Sequence, residues 1–103
     1  MIKVFISQPM NGKTDEDIAI ERNIAIKEIR NMHKDEKVWI LDTFISEAYD
    51  EKHPGLKYLA ESIRMLDEAD EIWMLPGWEN ARGCRIERAC AEAYGIPVKE
   101  YNR

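Results

Sequence analysis

The stretch of residues 75–87 has the sequence features of a ligand site in a small α/β protein: a strand end, a loop with two glycines and a helix start. Backbone N–H groups in the first turn of a helix lack partners within the helix, and they favour a nearby anion or carboxylate. Apolar residues three and four apart predict the buried stripe of this helix: Ile86, Ala89, Cys90 and Ala93. Glu87, about one turn inside the helix, would then lie on the flank of that stripe. A carboxylate there can reach into a cleft above the sheet, although a solvated acid on a charged helix has the same pattern.

Two loops contain further candidates for ligand contacts. Asn11, Gly12 and Lys13 could hold a phosphate through backbone N–H groups and one ammonium, or they could form a plain turn before a helix. Trp78 could stack on a planar base, or it could pack beneath its own loop or against a neighbouring subunit. Met10 could cover the apolar edge of a sugar, or it could serve packing alone.

Neither a metal site nor a cofactor is expected. Cys84 and Cys90 are six residues apart on one predicted helix, which puts them on different faces, and neither belongs to a Cys-x-x-Cys motif. His33 and His53 lie far from both cysteines, so the spacing typical of zinc ligands is missing. This use of cysteine favours the reducing cytoplasm.

The elements that must position these residues are four short strands and three helices. The predicted strands are Ile2–Ser7, Lys37–Leu41, Glu71–Leu75 and Pro97–Tyr101. The predicted helices are a first one, capped by Thr14 or Asp15 and ending near His33, a second along Leu56–Leu66 and a third along Gly83–Tyr94. The predicted core includes Trp39, Ile72 and Trp73.

This alternation predicts a single α/β domain over residues 1–103, a three-layer sandwich with a doubly wound, mainly parallel sheet of four to five strands, similar to flavodoxin or Rossmann folds. In such sheets, ligands bind outside the carboxyl ends of the strands. The segments at those ends are Ser7–Lys13, Asp42–Gly55, Pro76–Gly83 and the tail after Tyr101. The predicted site is therefore assembled from these segments.

Composition narrows the functional classes. The chain of 103 residues is 45% apolar and 34% charged, which suits one domain with a buried core. It has no long apolar run and no signal-peptide pattern after Met1, so neither membrane insertion nor secretion is expected. The net charge is −5 and the basic residues are scattered, which argues against binding to a nucleic-acid polymer. A small polar or phosphorylated ligand still fits, because one pocket can be positive on an acidic protein.

Three stretches resemble the nucleoside 2-deoxyribosyltransferase superfamily, and in particular a branch of short bacterial and phage proteins. Residues 6–10 read ISQPM, which is similar to the opening I-S-G-P-M of that branch. Residues 69–80 (ADEIWMLPGWEN) are similar to its third strand and loop. Gly83-x-x-x-Glu87, followed by YGIPV at residues 94–98, resembles the family stretch G-x-x-x-E…G-x-P-V.

The resemblance implies that Glu87 is the catalytic nucleophile. Enzymes of this superfamily cleave the N-glycosidic bond of a 2-deoxyribonucleoside, or of its 5′-monophosphate, through an oxocarbenium-like transition state that a carboxylate can capture. The nucleophile must be ionised, and the helix N-terminus with Arg82 or Arg85 is expected to keep it so. The expected substrate contacts are Ser7, Gln8, Pro9, Met10, Asn11, Gly12, Gly77, Trp78, Asn80, Arg82 and Gly83.

The chain departs from the family pattern at two positions. The family has an aspartate eight residues before the Asp of its A-D or C-D pair; counting back from Asp70 gives Ser62, which can hydrogen-bond but is no carboxylate. The branch has a serine six residues before the glutamate, and Ala81 stands there. Ser62 is retained as a predicted catalytic-site residue. Asp70 either orients groups in the cleft or is a turn residue.

Three functional hypotheses follow. The first is a deoxyribosyl transferase or deoxynucleoside N-glycosidase. The second is a catalytically weak or inactive nucleotide-binding module, which Ser62 and Ala81 favour. The third is an interaction protein whose Trp78 loop and Leu56–Leu66 helix build an oligomer. A homo-oligomer is expected in any case, because family sites borrow residues from a neighbouring subunit and a domain this small forms only a shallow pocket alone.

Overall fold

The computed structural model describes residues 1–42 and 52–101, which form one parallel sheet between two helical layers. The strands are β1 (Ile2–Ser7), β2 (Val38–Leu41), β3 (Glu71–Met74) and β4 (Val98–Glu100). The helices are α1 (Asp15–Met32), α2 (Pro54–Leu66) and α3 (Arg82–Ala93), with a 3₁₀ turn at Trp78–Asn80. Most of the predicted connection Asp42–Gly55 lies outside the described residues. The predicted α/β sandwich is confirmed, and the described residues contribute four strands to its sheet.

The strand order β2-β1-β3-β4 makes β1 and β3 the central pair. All three pairings are parallel, and Ser7 at the end of β1 is in register with Met74 at the end of β3. The winding reverses between these two strands, because β2 lies on one side of β1 and β3 on the other. Crevices form at such a switch point, outside the carboxyl ends of the strands.

Each face of the sheet has its own core. On the α1 face, the buried apolar residues are Val4, Ile6, Ala25, Ile29, Trp73 and Leu75. On the face of α2 and α3, they are Phe5, Leu41, Leu66, Ile72, Met74, Cys84 and Ala91. Side chains alternate along a strand, so Ser7 follows Phe5 towards α3. The Ser7 hydroxyl therefore faces α3, the helix that contains Glu87.

The predicted buried stripe of α3 is wrong. Cys84, Glu87 and Ala91 are the buried residues of this helix, whereas Ile86, Ala89 and Ala93 are exposed. The hydrophobic pattern fails because a carboxylate occupies the centre of the buried face. The helix is therefore rotated relative to the expected orientation, and Glu87 points inward rather than along a flank.

The core prediction is confirmed for Ile72 and Trp73 but wrong for Trp39, which is 58% exposed. Trp39 lies on the outer strand β2, between Val38 and Ile40, which pack on the α1 face. Its side chain points to the opposite face, at the margin of the sheet. The apolar run therefore identified the strand without showing that its second face is covered at Leu41 and exposed at Trp39.

Candidate functional site

A cleft of about 990 Å³ opens at the carboxyl edge of the sheet, where the switch point predicts it. Its walls are the loop after β1, the loop after β3, the first two turns of α3 and one face of α2. Ten of the predicted site residues line it: Gln8, Pro9, Met10, Asn11, Ser62, Gly77, Asn80, Arg82, Gly83 and Glu87. Most of the residues predicted from the two loops are thus brought together around one cavity.

Glu87 is the carboxylate of this cleft that is held deepest. It is 8% exposed, and Ser7, itself 1% exposed, donates a hydrogen bond from Oγ to Glu87 Oε1 over 2.6 Å. The contact joins the last residue of the central strand β1 to the second turn of α3. Because both partners sit on regular elements in a packed core, the carboxylate has a fixed position rather than that of a mobile surface acid.

Burial raises the pKa of Glu87 above its ordinary value, and hydrogen bonds from the Ser7 and Ser62 hydroxyls lower it only in part. Burial acts by removing water from the charged form, whereas hydroxyl donors stabilise that form. Neither Arg82 nor Arg85 is among the causes of this shift. The Ser7 and Ser62 hydroxyls favour the ionised form and offset the effect of burial in part.

Cys84 is a cleft residue that the sequence analysis did not assign to the site. Its thiol is 4% exposed, lines the cleft and lies one helical turn before Glu87. Burial raises the pKa of Cys84, a hydrogen bond with Ser7 lowers it, and the nearby Glu87 charge raises it further. The thiol therefore stays protonated near neutral pH, as a neutral neighbour of the Ser7–Glu87 pair.

The mouth of the cleft is rich in cations. Lys13 pairs with Glu21 at 2.8 Å, and Arg22 pairs with Asp42 at 2.5 Å. Arg85 donates to the Glu79 carbonyl over 2.9 Å. In the described part of the chain, Arg82 at the first position of α3 has no acidic partner. The cleft can therefore attract an anion even though the protein is acidic overall.

A β-turn fixes the loop after β3. Gly77 has φ +91° and ψ 0°, and the Trp78 N–H donates to the Leu75 carbonyl over 3.2 Å. With Pro76 preceding Gly77, these are the features of a type II turn, which requires a positive φ at its third residue. A Cβ on Gly77 would lie 3.6 Å from Pro9 Cγ, so this turn abuts the loop after β1.

Gln8 fixes the other loop. Its Nε2 donates to the Ile18 carbonyl over 2.9 Å, which ties the end of β1 to the first turn of α1. The side chain is 7% exposed, and its Oε1 has no hydrogen-bond partner among the described residues. Gln8 is therefore a positioning residue for the loop, as well as part of the wall.

Three predicted residues are placed elsewhere. Asp70 lies at the amino edge of the sheet, where Oδ2 accepts a hydrogen bond from the Lys3 N–H over 2.7 Å, so it joins β1 to β3 and acts as a turn residue. Trp78 Nε1 donates to Glu100 over 3.0 Å, and its ring lies 4.2 Å from the Arg88 guanidinium, so it packs against its own loop, α3 and β4. Gly12 forms a turn with φ +77° beside the cleft and does not line it.

Tyr58 is the second cleft residue that the sequence analysis missed. It lies four residues before Ser62 on α2, and both side chains face the cavity. Residues four apart share one face of a helix, so the spacing of Tyr58 and Ser62 was a usable signal. The predicted functional segments did not include the α2 wall, which is why the residue was overlooked.

The described residues contain no helix long and apolar enough to cross a membrane. They also contain no cluster of three or more potential metal-binding side chains from His, Cys, Asp and Glu.

Comparison with known proteins identifies one family. No curated protein and no solved structure matches the chain significantly. The model of a domain family of unknown function, DUF4406, matches residues 2–100. This match covers both cleft loops, all three helices and Glu87, and the chain therefore belongs to the DUF4406 family.

Proposed function

We propose that the protein cleaves the N-glycosidic bond of a 2-deoxyribonucleoside or its 5′-monophosphate, with Glu87 as nucleophile. The observation that carries this proposal is a buried carboxylate held by Ser7 and Ser62 beside a cleft of about 990 Å³, at the carboxyl edge of the sheet. A cavity of this volume is large enough for a nucleotide-sized ligand. The resemblance to nucleoside 2-deoxyribosyltransferases supports the same assignment for Glu87.

The reaction has two steps. In the first, a Glu87 carboxylate oxygen forms a bond to the anomeric carbon while the C–N bond breaks, and the base leaves with the electron pair and takes a proton from solvent. In the second, water or another base attacks the same carbon and the Glu87 carboxylate leaves, which gives hydrolysis or transfer. Ser7 holds the carboxylate in place for both steps, since its hydroxyl donates to Glu87 Oε1, and the Ser62 hydroxyl favours the ionised form of the same carboxylate.

Release of free base from deoxynucleosides and their monophosphates, followed by chromatography, tests the proposal. The wild-type protein is expected to release base, and Glu87→Gln to lower the rate at least a thousandfold because the nucleophile is gone. Glu92→Gln on the same helix is the matched control, because Glu92 is exposed and pairs with Arg88 away from the cleft. Equal rates for the wild-type and Glu87→Gln proteins would refute the assignment.

A nucleotide-binding module without turnover is the second candidate, and Ser62 favours it. Cleavage needs the departing base to be protonated, and the resemblance implies a carboxylate where Ser62 stands. Apart from Glu87, the described residues that line the cleft include one carboxylate, Asp42, which is paired with Arg22. If nucleosides raise the melting temperature but no member of the panel is cleaved, this second function is the correct one.

We also propose that the protein forms a homo-oligomer in the cytoplasm. The exposed side chains of Trp39, Leu56 and Ile86 leave apolar area for subunit contacts. Light scattering coupled to gel filtration is expected to give a mass of at least twice 12.1 kDa. A mass of one chain at micromolar concentration would contradict this expectation.

A further inference from the structure

The cleft needs an apolar surface for a planar base, and few aromatic side chains are available. Among its described lining residues, the aromatic ones are Phe5 and Tyr58. Phe5 is 5% exposed and belongs to the core beneath the cleft. Trp78 is bound to Arg88 and Glu100 and does not line the cavity. Among the described residues that line the cleft, Tyr58, 40% exposed, is therefore the aromatic side chain with free area.

The direction of α2 places Tyr58 above Glu87. The strands are parallel, so the helix that follows β2 starts near the carboxyl edge of the sheet and runs away from it. Tyr58 precedes Ser62 by four residues, which is a rise of about 6 Å along the helix. Ser62 and Glu87 line the same cleft, and the Ser62 hydroxyl is close enough to Glu87 to lower the pKa of its carboxyl. Tyr58 accordingly lies one helical turn nearer to the opening, on the same face of α2.

A bound nucleoside can extend from Glu87 to Tyr58. If its anomeric carbon lies against Glu87, the base extends outward from that carbon, over the turn of α2 that carries Tyr58. Aromatic side chains stack on the faces of bases, and every base has such a face. No described residue hydrogen-bonds the Tyr58 hydroxyl, so the ring can adjust to the plane of a ligand.

We infer that Tyr58 is the stacking platform for the nucleobase, where its ring receives the planar face that every base has. The inference rests on the proposed function for the position of the sugar. It defines the substrate class as deoxynucleosides of both purine and pyrimidine type, with purines bound more tightly because they cover more of the ring.

Calorimetric titration of the Glu87→Gln protein, which prevents turnover, provides the test. The ligands are 2′-deoxyadenosine, 2′-deoxycytidine and the abasic analogue 1,2-dideoxyribose, each titrated into Glu87→Gln and into its combinations with Tyr58→Leu and Tyr58→Phe. Tyr94→Leu is the matched control, because Tyr94 is 85% exposed at the far end of α3. Circular dichroism checks that every variant is folded.

Tyr58→Leu is expected to raise Kd for both nucleosides about tenfold or more, the size typical of a lost base–aromatic stack. Tyr58→Phe and Tyr94→Leu are expected to stay within twofold of the parent protein, and the abasic analogue to bind all variants alike or too weakly to detect. A twofold or smaller effect of Tyr58→Leu overturns the inference. An equal loss in Tyr58→Phe also overturns it, because the hydroxyl would then be responsible.

The same data separate this inference from the proposed function. If nucleosides bind in a Tyr58-dependent way and the wild-type protein cleaves none of them, the platform is supported and the catalytic proposal fails. If the wild-type protein cleaves nucleosides with a KM that Tyr58→Leu leaves unchanged, catalysis stands and the platform is overturned. If neither nucleoside binds, the platform is overturned, and the cleavage assay with deoxynucleosides and their monophosphates decides the catalytic proposal separately.

Discussion

At the scale of the residue, the site depends on a conflict between burial and charge at Glu87. Burial disfavours the ionised carboxylate, and the hydroxyls of Ser7 and Ser62 offset this only in part, so the pKa remains raised. A nucleophile needs the ionised form, while folding favours the neutral one. Activity is therefore expected to rise with pH as Glu87 ionises, whereas the stability of the fold is expected to fall.

Replacement of Ser7 by alanine is expected to shift the pH dependence of activity. The Ser7 hydrogen bond lowers the pKa of Glu87, so its loss raises that pKa further. At any pH on the acidic side, a smaller fraction of the carboxylate is then ionised, and the acid limb of kcat/KM moves to higher pH. Rates measured across the pH range check this, with Glu92→Gln as control, because Glu92 is exposed and pairs with Arg88 away from the cleft. A limb that stays in place or moves to lower pH would exclude the role given to Ser7.

Glu87→Gln is expected to stabilise the fold at neutral and alkaline pH. Because the pKa is raised in the folded state, the native protein binds more protons than the unfolded chain between the two pKa values, and stability falls as pH rises through that window. Glutamine carries no charge and escapes this loss. Thermal melts at pH 8 should therefore show a higher Tm for Glu87→Gln than for the wild type. Each kcal/mol gained in the free energy of unfolding raises Tm by about 4–8 °C. The difference should shrink towards pH 4, and a constant or reversed difference would count against a buried, ionised Glu87.

At the scale of the element, two glycines around the cleft differ in whether the backbone needs glycine at that position. Gly77 has a φ of +91°, whereas Gly83 lies in α3 with open space where a Cβ would be. The first is needed for the turn that closes one wall, and the second is replaceable. Their positions in the sequence, six residues apart in one predicted loop and helix start, do not reveal this difference.

Gly77→Ala is expected to destabilise the protein by about 1 kcal/mol or more, because alanine is strained at positive φ. Gly83→Ala is expected to stabilise it by up to about 0.5–1 kcal/mol, since alanine is the better helix former. Urea denaturation of both variants measures these changes. If Gly77→Ala left the free energy of unfolding unchanged or raised it, the backbone assignment of the Gly77 turn would be wrong.

The elements themselves were largely predictable, but the orientation of α3 was not. Strand and helix positions follow from apolar runs and periodicity, and the Thr14 cap is confirmed by its hydrogen bond from the Asp17 N–H, 3.1 Å. The buried face of α3 was mispredicted because periodicity ranks a glutamate as exposed, whereas Glu87 is stabilised inside by Ser7, 80 residues away in the chain. Such a long-range partner leaves no local signal. Trp78 was ambiguous for the same reason, since Glu100 and Arg88 decide its position.

At the scale of the molecule, the two edges of the sheet have different roles. The carboxyl edge holds the cleft. At the amino edge, Glu71, 5% exposed, accepts hydrogen bonds on Oε1 from Trp73 Nε1 at 2.8 Å, and the same oxygen lies 2.7 Å from His33 Nε2 at the end of α1. The switch-point rule predicted the location of the cleft from the order of elements alone. The rule gave no information about this second polar cluster, because its residues come together only through the strand register of the folded sheet.

Trp73→Phe is expected to lower stability without weakening ligand binding. Phenylalanine cannot donate to Glu71, so one hydrogen bond is lost while the same oxygen keeps its contact with His33, at a cost of about 1 kcal/mol. The cleft lies at the other edge, so Kd for a deoxynucleoside should stay within twofold of wild type. Trp39→Phe, at the exposed position on β2, is the control and should change neither quantity. A clear loss of affinity in Trp73→Phe would show that the two edges are not independent.

The uncovered position of Trp39 has a spectroscopic consequence. The three tryptophans occupy different environments, with Trp39 58% exposed, Trp73 5% exposed and Trp78 beneath a guanidinium. An indole in water emits at longer wavelength than one in a protein interior, and dissolved iodide can reach it. Iodide should therefore quench the red part of the emission first, and Trp39→Phe should remove that part. Anything that comes to lie against the β2 margin, a second subunit included, would then be visible as a blue shift and a loss of quenching without any added label.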